Sequence, residues 1–96
     1  MGALNDGILS IVVFTATKCP HCPEVKKALE ELEAENEKLA ITVINVDDSP
    51  HARNMARTWE VMNVPHFIFI KDRNVQNRVS EALTKSQIEE YVTRYL

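Results

Sequence analysis

The chain contains little glycine and no long apolar run. Its 96 residues include only Gly2 and Gly7, and they contain no repeat, linker or low-complexity tract. A chain of this length leaves no room for a second domain, so we expect one domain, residues 1–96, whose elements follow one another closely. No apolar stretch approaches about 18 residues, so the sequence predicts no membrane-spanning helix.

An excess of basic residues is also lacking. The 11 Lys and Arg residues are outnumbered by 14 Asp and Glu residues, which gives a formal net charge of -3. That balance provides no electrostatic reason for binding a nucleic acid. The apolar share of 45% and the charged share of 26% are those of an ordinary globular protein. We therefore expect no nucleic-acid partner.

The apolar run near the N-terminus lacks the features of a signal peptide. Asn5 and Asp6 stand where a positively charged region is required, and no cleavage site of small residues follows. Cleavage there would also delete the first predicted strand. A myristoylation signal on Gly2 needs Ser or Thr at position 6, which is Asp6. We therefore expect a cytoplasmic protein that does not bind membranes.

Cysteine is limited to one pair, Cys19 and Cys22, separated by Pro20 and His21. Two thiols at this spacing on one helical turn can form and break a disulfide with little motion elsewhere. Because the chain has no other cysteine, redox chemistry is expected on this pair itself. The apolar segment that precedes it, residues 8–14, is interpreted as a buried strand that delivers the pair.

Hydrophobic periodicity and turn residues predict the element order β-α-β-α-β-β-α. The first helix is expected to begin with Pro20 at its first helical position and to run to about Glu37. Helices are also predicted from Pro50 and after Thr84. The predicted strands are residues 8–15, 41–46, 67–70 and 75–79.

Polar residues at the element ends predict caps and one tight turn. Asp48 or Ser49 is expected to cap the second helix. Thr84, with Gln87 three residues later, predicts a capping box for the third helix. The polar segment of residues 71–74 is predicted as the turn of a hairpin between the last two strands, and Asn74 in this turn can occupy a left-handed position.

The start of the first helix predicts different roles for the two thiols. Unpaired backbone N–H groups and the positive end of the helix dipole stabilise a thiolate, and Cys19 is expected at this boundary. We therefore expect the Cys19 thiol to be the more exposed, to ionise more readily and to be the attacking group. Cys22, one turn further in on the same face, is expected to resolve a mixed disulfide formed at Cys19.

The two residues between the thiols are expected to tune the redox couple. Pro20, together with Pro23, stiffens the turn. A positive charge on His21 would stabilise the Cys19 thiolate and hence the reduced form, which makes the disulfide a stronger oxidant. The alternative is that His21 is an exposed spacer.

A second interpretation of the cysteine pair is half of a metal site. Zinc would need two more ligands, and the spacing of His21, His51 and His66 matches no zinc pattern. We therefore expect no metal and no cofactor, and interpret His51 and His66 as ordinary polar residues near element ends. A metal or Fe–S cluster carrier, including a cluster shared between two chains through Cys19, and a redox-inactive docking domain stay open as alternatives.

The cysteine motif after a strand, together with Val64-Pro65 before the third strand, resembles the thioredoxin and glutaredoxin superfamily over nearly the whole length. The resemblance implies an α/β thioredoxin fold, with a central four-stranded mixed sheet flanked by three helices. It also implies a monomeric protein disulfide oxidoreductase that cycles Cys19 and Cys22 and reduces protein disulfides. The matching proline of that family is cis and lies opposite the cysteines, which implies a substrate-contact role for Val64 and Pro65.

Two departures from the family pattern affect the expected chemistry. The buried aspartate of typical thioredoxins corresponds to Val13, so proton transfer at Cys22 must use water or another group. Residues 77–83 contain none of the glycines that help glutaredoxins to hold glutathione. A flavin-dependent donor of the thioredoxin-reductase type is therefore expected in preference to glutathione. The run of residues 19–23, Cys-Pro-His-Cys-Pro, followed by a charged helix, is similar to the small glutaredoxin-like thioredoxins of prokaryotes.

Overall fold

The computed structural model describes residues 7–96 and contains four strands and three helices. Gly2, Asn5 and Asp6, on which the expectations about targeting depend, lie outside the described residues. The predicted element order is confirmed. The elements are β1 Leu9–Thr15, α1 Cys22–Glu35, β2 Leu39–Asn45, α2 Pro50–Thr58, β3 His66–Lys71, β4 Asn74–Val79 and α3 Lys85–Tyr95.

The four strands form one mixed sheet in the order β2-β1-β3-β4. Strand β1 pairs in parallel with β2, and β3 runs antiparallel to both β1 and β4. Because β1 has a neighbour on each side and is covered on both faces, every residue in it is buried or half-buried. This explains why its sequence is almost continuously apolar instead of alternating.

The two faces of the sheet carry separate apolar clusters. On one face, Leu9, Ile11 and Val13 pack with residues of α1 and α3. On the other face, Phe14 and Ile68 pack with Ala56 of α2. Side chains alternate between the two faces of a strand, so successive residues of β1 contribute in turn to the two clusters. The result is a three-layer arrangement with α1 and α3 on one side and α2 on the other.

Helix α1 is shorter than predicted at both ends. It begins at Cys22 and not at Pro20, with His21 as the N-cap residue and Pro23 in the first turn. The prediction placed the wrong proline at the helix start, since either proline is compatible with a first turn. The helix ends at Glu35 because Asn36 is extended, and the Asn36 side-chain amide donates to the carbonyl of Leu32 at 3.1 Å.

The hairpin turn lies in the predicted segment, residues 71–74, but its left-handed residues are Asp72 and Arg73 and not Asn74. Asp72 and Arg73 have φ values of 52° and 68°, whereas Asn74 pairs with Lys71 as the first residue of β4. A two-residue loop with positive φ at both positions matches the twist of the flanking strands, which is why the turn takes this form. Asn74 contributes from the strand, where its amide donates to the Asp72 carbonyl at 3.1 Å.

The predicted caps of the second and third helices are confirmed. The Ser49 hydroxyl accepts from the Ala52 N–H at 3.1 Å, so Ser49 and not Asp48 caps α2. Thr84 and Gln87 form the reciprocal capping box of α3, with distances of 3.2 and 2.9 Å. Both caps satisfy backbone donors that a helix start leaves unpaired.

Lys85, the first residue of α3, links that helix to α1. Its Nζ lies 3.0 Å from a Glu35 carboxylate oxygen and 3.3 Å from one of Glu31. Hydrogen bonds to Glu35 and then Glu31 raise the pKa of Lys85 above its usual value. None of the helices within residues 7–96 has the length and apolar character needed to cross a membrane.

His66, the first residue of β3, is buried and binds an arginine of the neighbouring strand. Its side chain is 6% exposed, and its Nε2 atom accepts a hydrogen bond of 3.2 Å from Nε of Arg78. The same guanidinium also donates to the Trp59 carbonyl. Because Nε2 is the acceptor, the ring proton resides on Nδ1, which is buried without a partner in the described part of the chain.

This environment disfavours a charged imidazole. Burial, followed by the nearby Arg78 charge, holds the pKa of His66 below its usual value. His66 lies at an element end, as interpreted from the sequence, and its side chain bonds to Arg78 of β4, which in turn donates to Trp59 at the end of α2. His51, by contrast, is exposed on α2.

We predict that His66 makes the folded state less stable in mild acid. Between about pH 6.5, where a histidine in the unfolded chain titrates, and the lower folded pKa, only the unfolded state binds the proton. The free energy of unfolding should therefore fall as pH decreases from 7 to 5.5, by up to about 1.4 kcal/mol per unit of pKa difference. Denaturant unfolding of the oxidised protein at several pH values measures this dependence.

The pH dependence should be smaller in His66→Gln, whatever its absolute stability. His51→Gln is the matched control, because it removes an exposed histidine from α2. An unchanged slope in His66→Gln, or an equal reduction in His51→Gln, would contradict the assignment.

Candidate active site

The two cysteines are joined in a disulfide where β1 leads into α1. Their sulfur atoms are 2.06 Å apart and their Cα atoms 5.3 Å apart. The short loop after β1 turns the chain towards the helix, and the Cys19 N–H donates to the Ala16 carbonyl at 3.3 Å. The disulfide thus lies at the carboxyl end of a central strand, which is where sites in open α/β sheets commonly occur.

Contacts to the end of β2 hold this loop in position. The Thr17 N–H donates to the Asp47 carboxylate at 2.9 Å, and the Asn45 amide approaches the Thr17 hydroxyl at 3.5 Å. Asn45 is also the last residue of β2, paired with Thr15. The parallel pairing of β1 and β2 therefore brings together the groups that orient the segment before Cys19.

The two cysteines differ in exposure and in their relation to the helix. Cys19 is 9% exposed and Cys22 is 3% exposed, which is the expected order. Their positions differ from the prediction, because Cys22 is the first residue of α1 and Cys19 lies in the turn before it. The prediction that both cysteines lie on one face of the helix, one turn apart, is therefore wrong. The disulfide nevertheless shows that the two sulfur atoms can meet.

A cavity of about 280 Å³ lies against the disulfide. Lys26 is the one charged side chain in its lining. Neither Val64 nor Pro65 contributes to it. The lining residues are Ala16, Thr17, Cys19, Cys22, Pro23, Lys26 and Asn45.

Val13, at the position that corresponds to the buried aspartate of typical thioredoxins, lies in an apolar environment. Val13 is fully buried in the cluster beneath α1 and pairs with Val43 of β2. Thr15 lies on the same face of β1, nearer the strand end, and its buried hydroxyl has no hydrogen-bond partner within residues 7–96. Sequence analysis missed Thr15, although a hydroxyl that ends an apolar strand was the available signal.

The Val64–Pro65 peptide bond is cis, as the family resemblance implied. Pro65 is buried and Val64 is half-buried. His66 pairs with Phe14, so the residue before it lies at the end of β1 from which the chain continues to Cys19. The structure therefore brings Pro65 to the end of the sheet at which the disulfide lies.

His21 and Pro20 are both exposed in the turn between the cysteines. His21 occupies the N-cap position of α1, but its side chain makes no capping hydrogen bond. It lines a second cavity, of about 680 Å³, between α1 and the start of α3. The other lining residues are Glu24, Val25, Lys27, Ala28, Glu31, Ala82, Leu83, Thr84 and Lys85.

A metal site was the other interpretation of the cysteine pair. Within the described range, no three His, Cys, Asp or Glu side chains are grouped so that they could hold a metal ion. In the oxidised state both sulfurs are bonded to each other, so neither is available as a thiolate ligand.

Comparisons with known proteins agree with this geometry. Residues 3–94 match the family model described as thioredoxin. Thioredoxin of Staphylococcus aureus is 33% identical over 89 residues, which are 92% of this chain and 83% of that protein. The chloroplastic thioredoxin X of Arabidopsis thaliana is 35% identical over 85 residues, but this chain spans only 45% of its length.

A solved structure supports the same assignment. The X-ray structure of Fasciola hepatica thioredoxin superposes with a TM-score of 0.82 at 30% sequence identity, covering 98% of this chain and 86% of that one. The predicted thioredoxin fold, a four-stranded mixed sheet with three helices, is therefore confirmed. The chain belongs to the thioredoxin family, and it is a thiol–disulfide oxidoreductase with a Cys19–Cys22 redox disulfide.

Proposed function

We propose that this protein reduces disulfides of other proteins, with Cys19 as the attacking thiol and Cys22 as the resolving thiol. One observation supports this order above the others: Cys19 precedes the helix and is the more exposed, whereas Cys22 begins α1 and faces the core. A substrate sulfur approaching from solvent therefore meets Cys19 first.

The proposed reaction has two exchange steps. The Cys19 thiolate attacks a substrate disulfide, so a mixed disulfide forms and one substrate sulfur leaves as a thiolate that takes a proton. The Cys22 thiol then loses its proton and attacks the Cys19 sulfur, which releases the second substrate thiol and forms the Cys19–Cys22 disulfide. Two electrons pass from the protein dithiol to the substrate, and the structure corresponds to the oxidised product.

The second step requires a proton acceptor for Cys22. Val13 cannot provide one, and the adjoining Thr15 hydroxyl is not a base at neutral pH. The cavity of about 280 Å³ beside Cys22 opens a route for water, with Lys26 on its wall. We infer that solvent in this cavity carries the proton from Cys22.

Val64 and Pro65 are proposed to position the substrate. Within residues 7–96, neither the N–H nor the carbonyl of Val64 has a hydrogen-bond partner. An extended substrate segment can pair with such groups as it would with an exposed edge strand. The cis peptide holds them at the end of the sheet at which Cys19 lies. Main-chain pairing of this kind accommodates many substrate sequences.

The electron donor is proposed to be a flavin-dependent enzyme of the thioredoxin-reductase type. The loop between β4 and α3, residues 80–84, contains no glycine, and Glu81 within it is exposed. A carboxylate and Cβ atoms at this loop oppose the close approach of the anionic tripeptide glutathione. We further propose that the protein works as a monomer in the cytoplasm, where a single dithiol pair can be kept reduced.

The division of roles predicts different outcomes for the two cysteine variants. Cys19→Ser should abolish exchange, because Cys22 is enclosed by the helix start. Cys22→Ser should accumulate mixed disulfides through Cys19, because the resolving step is lost. Mass spectrometry after incubation with a disulfide-bonded protein such as insulin identifies the bonded cysteine. The double Ser variant is the control for non-specific capture, and adducts through Cys22 would reverse the assignment.

We also predict that His21 tunes the redox potential. Replacing it by alanine should make the couple more reducing, because a positive charge beside Cys19 stabilises the thiolate more than it affects the uncharged disulfide. The expected shift is roughly 30 mV for about 1.4 kcal/mol. Equilibration with a glutathione redox buffer measures it. His51→Ala removes an exposed histidine of α2 and should leave the potential unchanged; equal potentials for parent and His21→Ala would make His21 a spacer.

The donor proposal is tested by comparing two recycling systems. Oxidised protein should be turned over faster by a flavin-dependent thioredoxin reductase than by glutathione with its reductase. The double substitution Ser80→Gly and Glu81→Gly introduces a glycine pair into the loop. It should raise the glutathione-dependent rate. Faster recycling of the parent protein by glutathione would overturn the proposed order of donors.

A further inference from the structure

A cavity of about 310 Å³ opens beside Val64, on the side of the sheet that α2 covers. Its apolar wall comes from Val46, Ala56, Val61 and Val64. Met62 lies at its edge and is 86% exposed, well above the other large apolar side chains exposed within residues 7–96. The volume lies at the lower end of the range for ligand sites, about 300–1,000 Å³. An exposed methionine beside such a cavity is typical of an adaptable contact surface.

The rim of this cavity carries two arginines of α2. Arg53 and Arg57 are four residues apart, so they lie on the same side of the helix. Two like charges at this spacing slightly destabilise a helix, and helix stability therefore does not explain them. Arg53 is 3.7 Å from an Asp47 carboxylate oxygen, whereas Arg57 forms no ion pair with any carboxylate in the described range.

The position of this surface relates it to the redox site. Val64 belongs both to the cis peptide and to the cavity wall. A peptide segment that pairs with the Val64 backbone therefore lies next to this cavity, whose lining also includes Met62 and Arg57. The cavity on the other side of the redox site, next to His21, has both acidic and basic residues in its lining and offers no comparable excess of positive charge.

We infer that the surface formed by Val46, Met62, Val64, Arg53 and Arg57 selects protein substrates that carry an acidic residue and an apolar residue next to their disulfide. The apolar side chain occupies the cavity against Met62, and the carboxylate binds Arg57, with Arg53 as a second donor. This inference rests on the proposed function, since it names the substrate class of the same reaction. Charge complementarity supports an acidic occupant, because the rim presents cations without a full set of partners.

The test uses two peptides, each with one internal disulfide and a neighbouring Leu, that differ only in Glu or Gln beside a cysteine. Pre-reduced protein is mixed with each peptide and the second-order rate constant is measured, so no donor enzyme is needed. The Glu peptide should react roughly fivefold faster at low salt, and the ratio should fall as ionic strength rises.

Charge and apolar variants separate the contributions. Arg57→Gln, and more so Arg53→Gln/Arg57→Gln, should bring the Glu-to-Gln ratio towards one. Lys27→Gln is the matched control, because it removes the same charge from the cavity next to His21. Met62→Gln should slow both peptides alike, whereas Val75→Thr, at an exposed position of the hairpin, should not. An unchanged ratio in Arg57→Gln, or an equal loss in Lys27→Gln, would overturn the inference.

Binding without reaction distinguishes failure of the inference from failure of the proposed function. A cysteine-free Glu peptide is titrated into the oxidised protein and followed by NMR. Shifts at Met62 and Arg57, with no reduction of either disulfide peptide, would retain the surface and reject the reductase function. Reduction of the disulfide peptides without these shifts would retain the reductase function and reject the proposed surface. Self-association that Met62→Gln abolishes would assign the surface to a second copy of the chain and overturn the inference.

Discussion

The active site depends on the pairing of β1 with both of its neighbours. Parallel pairing with β2 places the Asn45 end of that strand beside the loop that precedes Cys19. Antiparallel pairing with β3 brings the start of β3, and therefore Pro65, to the same end of the sheet. A slip of one residue in either register would exchange the two faces of the strand, so burial of Val13 and Phe14 on opposite faces secures the site geometry.

Local sequence signals were sufficient for most of the fold. Apolar periodicity predicted all seven elements, and the caps at Ser49 and Thr84 followed from side chains that bond within three residues. The cysteine pair was identifiable because its spacing and its isolation are properties of the sequence itself. The cis state of Pro65 was different: without a family resemblance, the residue would indicate only the end of a helix.

The errors arose where several local solutions were nearly equivalent, or where distant residues meet. Pro20 and Pro23 both suit a first helical turn, and in the structure the helix begins at the buried Cys22, which leaves Pro20 outside it. The hairpin turn was predicted in the correct segment, but the pairing of Lys71 with Asn74 makes Asp72 and Arg73 the left-handed residues instead of Asn74. The contact between His66 and Arg78 joins residues from different strands, and no periodic pattern indicates it.

The positions and burial of the two cysteines support the separate roles proposed for them, in a site that has no buried carboxylate at Val13. Val13 and Val25 lie in the apolar cluster beneath the start of α1, and Cys22, the first residue of that helix, is 3% exposed. In the proposed order of reaction, Cys19, which precedes the helix and is the more exposed, reacts first, and Cys22 attacks afterwards. Once the mixed disulfide has formed, the Cys19 sulfur is the electrophile. In the proposed reaction, water that reaches the cavity at Cys22 takes up the proton that this thiol loses when it attacks.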